Sequence, residues 1–87
     1  MVILVTIPDY EPQKGFEFDW KDGFEIKVED SPRYIELKAN KEGLISLAQQ
    51  FLLLEQDSFP DGYHLHYDSS NCLEDGSKEL VVCKTGN

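Results

Sequence analysis

The sequence predicts an α+β fold: a mainly antiparallel five- or six-stranded sheet with one amphipathic helix, about residues 41–56, packed on one face. Three observations predict it. Apolar and charged residues alternate through residues 16–28 and 34–39, the period of strands with one buried face. Between Asn40 and Gln56 the apolar period becomes helical. Turns bearing Gly, Pro and Asp separate the segments at short intervals. The 87 residues are expected to form a single domain, 1–87, with no room for a second core. A chain this short buries only about 60–65 % of its unfolded surface, so modest stability is expected.

Each element follows in order. "VILVTI" (2–7) is an unbroken β-branched and aliphatic run ended by Pro8, expected as a strand buried on both faces or at a subunit contact. In "GFEFDWKDGFEIKV" (15–28), Phe16, Phe18 and Trp20 alternate with charge, as do Phe24, Ile26 and Val28. A two-residue turn at Asp22-Gly23 would set Lys21 against Phe24 and put charge on the apolar face. A three-residue loop, Lys21-Asp22-Gly23, instead pairs Trp20 with Phe24, Phe18 with Ile26 and Phe16 with Val28, with Gly23 left-handed. That register is the one expected. In "YIELKA" (34–39), Ile35, Leu37 and Ala39 share a face.

In "NKEGLISLAQQFLLLEQ" (40–56), Leu44, Leu47, Ala48, Phe51 and Leu54 recur at helical spacing. Asn40 can accept from the first-turn N–H groups, and Glu42 suits the positive end of the dipole. Gly43 costs about 1 kcal/mol relative to Ala inside a helix, and it marks where the helix start approaches another backbone. "SFPDG" (58–62) stops the helix. Strands "YHLHY" (63–67) and "ELVVCK" (79–84) follow, joined by a loop over 68–78 in which Leu73 is the apolar residue able to pin it to the core. One helix cannot cover both faces of such a sheet. The second face is therefore solvated or available for a homodimer.

Net charge is −9, from 17 acids against 8 Lys and Arg. Nucleic acid and anionic membrane are disfavoured as partners, because both are held by Lys and Arg. Residues 42–77 carry seven acids (Glu42, Glu55, Asp57, Asp61, Asp68, Glu74, Asp75) and no Lys or Arg. This acidity either keeps the protein soluble or docks on a basic partner, for which the second half is the better contact surface. The start lacks the length of a membrane span and the basic region of a signal peptide, so a cytoplasmic location and free thiols at Cys72 and Cys83 are expected.

The chemically richest stretch is "GYHLHYDSSNCLEDG" (62–76). Strand alternation points His64 and His66 one way, roughly 7 Å apart at Cα, and Tyr63, Leu65 and Tyr67 the other. Such a pair can chelate a divalent metal with Asp68 as third ligand, or it is an exposed polar face, or a partner contact. A Glu or Asp from a neighbouring strand could contribute too, but the pair lacks a convincing third ligand, so no metal and no cofactor are assigned. Cys72 has neither flanking glycines nor a base placed for it, and Gly-rich phosphate loops are absent. No enzymatic activity is expected. The loop over 68–78 is long for a hairpin connection, which favours a role in recognition.

"ANKEGLISLAQQFLLL", "GYHLHYD" and "LEDGSKELVV", spanning roughly residues 39–84, resemble the bacterial polymorphic-toxin immunity proteins of immunity protein family thirty-two. The resemblance rests on Asn40, Glu42, Gly43, Leu44, Gly62, His64, His66, Asp68, Leu73, Glu74, Gly76, Ser77, Lys78 and Glu79. It implies a small α+β inhibitor that binds a cognate toxin and occludes it. Many such toxins are nucleases with basic, phosphate-binding sites, so the implied partner is basic and the implied contacts are His64, His66, Asp68, Glu74 and Asp75. The readings from another class remain a small metal-binding protein or metal-dependent enzyme, and a structural or interaction subunit.

Overall fold

A computed structural model describes residues 2, 4–9, 11, 13 and 15–86, which form β1 (Ile26–Asp30), β2 (Ile35–Ala39), α1 (Lys41–Glu55), β3 (His64–Tyr67) and β4 (Leu80–Cys83). The α+β class is as expected, but the sheet is not. Among the described residues there are two separate two-stranded antiparallel sheets, β1–β2 and β3–β4, in place of five or six strands in one.

The reason lies at the edges of β1. One edge pairs with β2, with Val28 opposite Leu37 and Ile26 opposite Ala39. The other is taken by the loop after β3: Glu74 N donates to Ile26 O (2.9 Å), Lys78 N to Val28 O (2.9 Å), and Val28 N to Ser77 Oγ (3.2 Å). No edge remains for residues 16–20, and the expected 18:26 and 16:28 pairs do not form. The turn itself is as expected: Phe24 N donates to Lys21 O, Gly23 has φ 80°, and the Trp20 and Phe24 rings stack at 4.5 Å. Beyond it the chain leaves the sheet. Phe18 packs edge-on to Tyr67 at 5.9 Å, and Phe16 meets Phe59 at 5.7 Å.

Side chains of α1 and of Gln56, which follows it, satisfy backbone groups of the chain before β1. Lys21 N donates to Ser46 Oγ (2.9 Å), Gln50 Nε2 to Asp19 O (3.2 Å), Gln49 Nε2 to Thr6 O (2.7 Å) and Gln56 Nε2 to Pro8 O (2.9 Å). Residues 2–7 accordingly make no strand among those described, and Ile3 lies outside the described residues. Val2 and Leu4 are exposed, which corrects the expectation of burial on both faces. A β-branched run states a preference, but a strand also needs a free edge to pair with.

The helix is rotated from its expected setting. Its buried face is Gly43, Ser46, Leu47, Gln49, Gln50, Leu53 and Leu54, while Leu44, Ala48, Phe51 and Leu52 are exposed. Asn40 caps it, accepting from Gly43 N (2.8 Å) and from Glu25 N (2.9 Å) and donating to Gly23 O (2.8 Å). A Cβ on Gly43 would lie 2.8 Å from Glu25 O and 2.9 Å from Ile26 Cγ1. The expected close approach is thus real. At the other end, Lys84 Nζ donates to the carbonyls of Glu55 (3.3 Å), Gln56 (2.7 Å) and Phe59 (2.9 Å), placing a cation at the negative end of the dipole. The core gathers Ile26, Val28, Leu47, Leu53, Leu54, Phe59, Leu65, Tyr67 and Leu73. No helix among the described residues is long and apolar enough to cross a membrane.

Candidate functional site

β3 alternates as its sequence predicts. Leu65 and Tyr67 are buried, and His64 and His66 are exposed with ring centroids 5.0 Å apart. Register with β4 sets His64 opposite Cys83 and His66 opposite Val81. His66 Nδ1 lies 2.7 Å from Glu79 Oε2, and His64 Nδ1 lies 3.0 Å from Gly62 O. Glu79 comes from the residue before β4, a partner that strand alternation within β3 alone did not reveal.

Asp68 does not join the histidines. Its Oδ1 accepts from Ser70 N (2.9 Å) and Asn71 N (3.1 Å), and its carbonyl accepts from the N–H groups of Asn71, Cys72 and Leu73. It shapes the loop that carries Leu73 into the core. The imagined trio of His64, His66 and Asp68 is therefore not assembled. Among the described residues no group of three or more His, Cys, Asp or Glu side chains is placed to hold a metal ion.

Glu74 and Asp75 sit on the opposite flank of the loop. Glu74 lines a shallow depression of about 400 Å³ with Glu25, Lys27, Lys38 and Asn40, on the outer edge of β1. Asp75 precedes Gly76, whose φ of 81° makes the turn. His66 instead borders a depression of about 180 Å³ with Phe18, Trp20, Asn71 and Cys72. The five contact residues thus divide between the β3 face and the β1 edge.

The charge pattern sharpens in three dimensions. Lys27 and Lys38 pair with Glu29 (3.6 and 3.3 Å), Lys38 also with Glu36 (3.7 Å), and Lys78 with Asp30 (3.3 Å). The Lys38 ammonium beside Glu29 holds that carboxyl below the usual carboxylate range, and Glu29 in turn raises Lys38. Lys27, Lys38 and Lys78 are thus engaged with acids of the first sheet. Among the described residues none of the seven acids of 42–77 forms an ion pair, and five of the seven are exposed.

Neither Cys72 nor Tyr67 is activated as a nucleophile. Burial pushes the Cys72 thiol up, with the Asp68 charge adding to it against a backbone hydrogen bond that lowers it. Burial likewise pushes the Tyr67 hydroxyl up, and that hydroxyl donates to Gln50 Oε1 at 2.8 Å. Both directions weaken a nucleophile.

What the fold and this surface define is an α+β protein that presents unpaired acids and exposed apolar side chains among the described residues. A family model described as Immunity protein 32 matches residues 34–85, more than half of the chain, and the chain belongs to that family. The match runs from the start of β2 through β4, somewhat wider than the segments carrying the sequence resemblance. Membership implies a toxin as partner and speaks for a non-enzymatic role. No curated protein and no solved structure matches the chain.

Proposed function

We propose that the protein neutralises a cognate bacterial toxin in the cytoplasm by binding and occluding it, with the acidic surface of residues 42–77 facing a basic site on the toxin. The observation that carries this reading is a set of seven acids that form no ion pair among the described residues, beside a first sheet in which Lys27, Lys38 and Lys78 are engaged with other acids. Clustered carboxylates mimic a phosphate backbone and steer a basic partner inward, raising the association rate more than the affinity. His64, His66, Glu74 and Asp75 are contact residues in this reading. Asp68 contributes charge from a side chain already committed to its loop.

The test uses a candidate toxin domain and association kinetics at two salt concentrations. A variant combining Asp68→Asn, Glu74→Lys and Asp75→Lys keeps the amide acceptor that the loop needs. It should slow association by roughly tenfold at low salt, and far less once exposed charges are screened beyond about 8 Å. A control carrying Glu17→Lys, Asp19→Lys and Glu25→Lys should change the rate much less. Equal effects from the two would overturn the assignment to the second half. Failure of the parent chain to protect cells expressing the toxin domain would overturn neutralisation itself.

A further inference from the structure

We propose that two copies of the chain associate through the free edge of β2, pairing antiparallel about a two-fold axis at Leu37. This stands apart from the toxin reading, because it concerns the purified chain alone.

The β1–β2 ladder fixes which backbone groups of β2 are used. Ser31 N donates to Tyr34 O (2.9 Å), and Asn40 N donates to Glu25 O (3.1 Å), so the pairs at 34 and 40 are hydrogen-bonded ones. By antiparallel alternation the even-numbered residues of β2 bond β1, and Ile35, Leu37 and Ala39 turn their N–H and C=O groups to the outer edge. No described strand covers that edge. A second β2 therefore finds a row of donors and acceptors at those three residues.

Charge selects one register. With Leu37 opposite its own copy, Ile35 faces Ala39 and Glu36 faces Lys38, twice by symmetry. The odd residues are then the hydrogen-bonded pairs that the edge requires. The Glu36–Lys38 pairs fall at the non-bonded positions, where side chains approach most closely. Sliding by two residues one way sets Glu36 against Glu36, and the other way sets Lys38 against Lys38. Only the central register matches opposite charges.

Apolar exposure lies where this arrangement would cover it. Directly paired residues share a face, so Ile35 and Leu37 lie on the side of the sheet that carries Ile26 and Val28 into the core. Yet Ile35 is 60 % exposed and Leu37 39 %. Leu44, Ala48 and Phe51 are also exposed, on the flank of α1 turned away from the Asp19–Lys21 segment that Ser46 and Gln50 hold.

The test is sedimentation of the full chain over a hundredfold concentration series. The parent should dimerise. Glu36→Lys alone and Lys38→Glu alone should each weaken the dimer, by roughly thirtyfold from two like-charged cross-strand pairs. An equimolar mixture of the two variants should dimerise again, because each cross-strand pair then joins a lysine of one chain to a glutamate of the other. Amide exchange on the parent gives an independent readout. Protection at Ile35, Leu37 and Ala39 should rise with concentration, and protection at Val81 and Cys83 should not. A parent that stays monomeric, swaps without effect on the dimer, or protection that ignores concentration at the β2 edge would each overturn the proposal.

Discussion

Tyr67 and Gln50 offer the most direct test of how α1 holds the irregular half of the chain. Tyr67 has no exposed surface and its hydroxyl donates to Gln50 Oε1, while Gln50 Nε2 reaches Asp19 O. Gln50→Leu keeps most of the volume but strands the tyrosine hydroxyl away from water, at a cost of about 1–3 kcal/mol. Asp19 is exposed, so its carbonyl can turn to solvent and adds little. Tyr67→Phe leaves Gln50 Oε1 without its donor and should cost about 1–2 kcal/mol. The double variant removes both polar groups together. Its cost should fall short of the sum by about 1–2 kcal/mol, because neither orphan remains. Urea unfolding followed by Trp20 fluorescence suits the measurement, since Trp20 is the chain's one tryptophan and lies edge-on to Tyr67 at 6.1 Å. With a slope near 1 kcal/mol per molar urea, the coupling appears as about 1–2 M of missing midpoint shift. Strict additivity would refute the claim that the two side chains act as a pair.

Four further outcomes are expected. Gly43→Ala, which favours an isolated helix by about 1 kcal/mol, should instead destabilise this protein by about 1–3 kcal/mol, because the added methyl meets Glu25 O at 2.8 Å; thermal unfolding checks the sign. Lys84→Met should cost about 1.5–3 kcal/mol in urea unfolding, since it removes a charged donor shared by the carbonyls of Glu55, Gln56 and Phe59 at and just beyond the end of α1. For Cys72 the raised thiol keeps the folded state protonated, so its alkylation in a Cys83→Ser variant should be slow at neutral pH and accelerate as pH rises. By the same sign Cys72 and Tyr67 each favour the folded state below their ordinary ranges, and stability should fall as pH rises through them; a Tyr67→Phe variant should lose part of that alkaline fall.

Local features were legible in the sequence and their partners were not. Asn40 as cap, the Lys21-Asp22-Gly23 turn and the outward histidines each depend on chemistry within a few residues, and each is present; Gly43 was legible as a close approach, but its partner, Glu25, was not. The hairpin ladder failed for a non-local reason. Phe16, Phe18 and Trp20 alternate as a strand does, but the edge they would use is occupied by residues 74–78, far along the chain. The helix turns inward a different face from the one its apolar spacing marks. Ser46, Gln49 and Gln50 are buried instead, since the irregular chain beside them carries N–H and C=O groups that leucine could not satisfy. Of the candidate contacts, His64 and His66 were placed correctly on one face. Asp68 was not tied to them, because a turn two residues ahead claims its carboxylate.

The family match begins at residue 34, yet the structure it covers is incomplete without what precedes it. β1 lies before the matched segment and is the one strand that touches both ends of it: β2 on one edge and the 74–78 loop on the other. Ile26 and Val28 enter the core from β1, and Glu25 meets the cap of α1 through Asn40. Ile26 and Val28 share one core cluster with Leu47, Leu54 and Leu73, whereas Ile35 and Leu37 of β2 stay exposed on the same face. The irregular stretch before β1 has a different standing. It is held largely by Ser46, Gln49, Gln50 and Gln56, and every one of these side chains is inside the matched segment. The matched segment thus relies on β1 for its core and provides the anchors for what lies upstream. A toxin that engages the acids of 42–77 accordingly meets a surface whose backing is built from both halves of the chain.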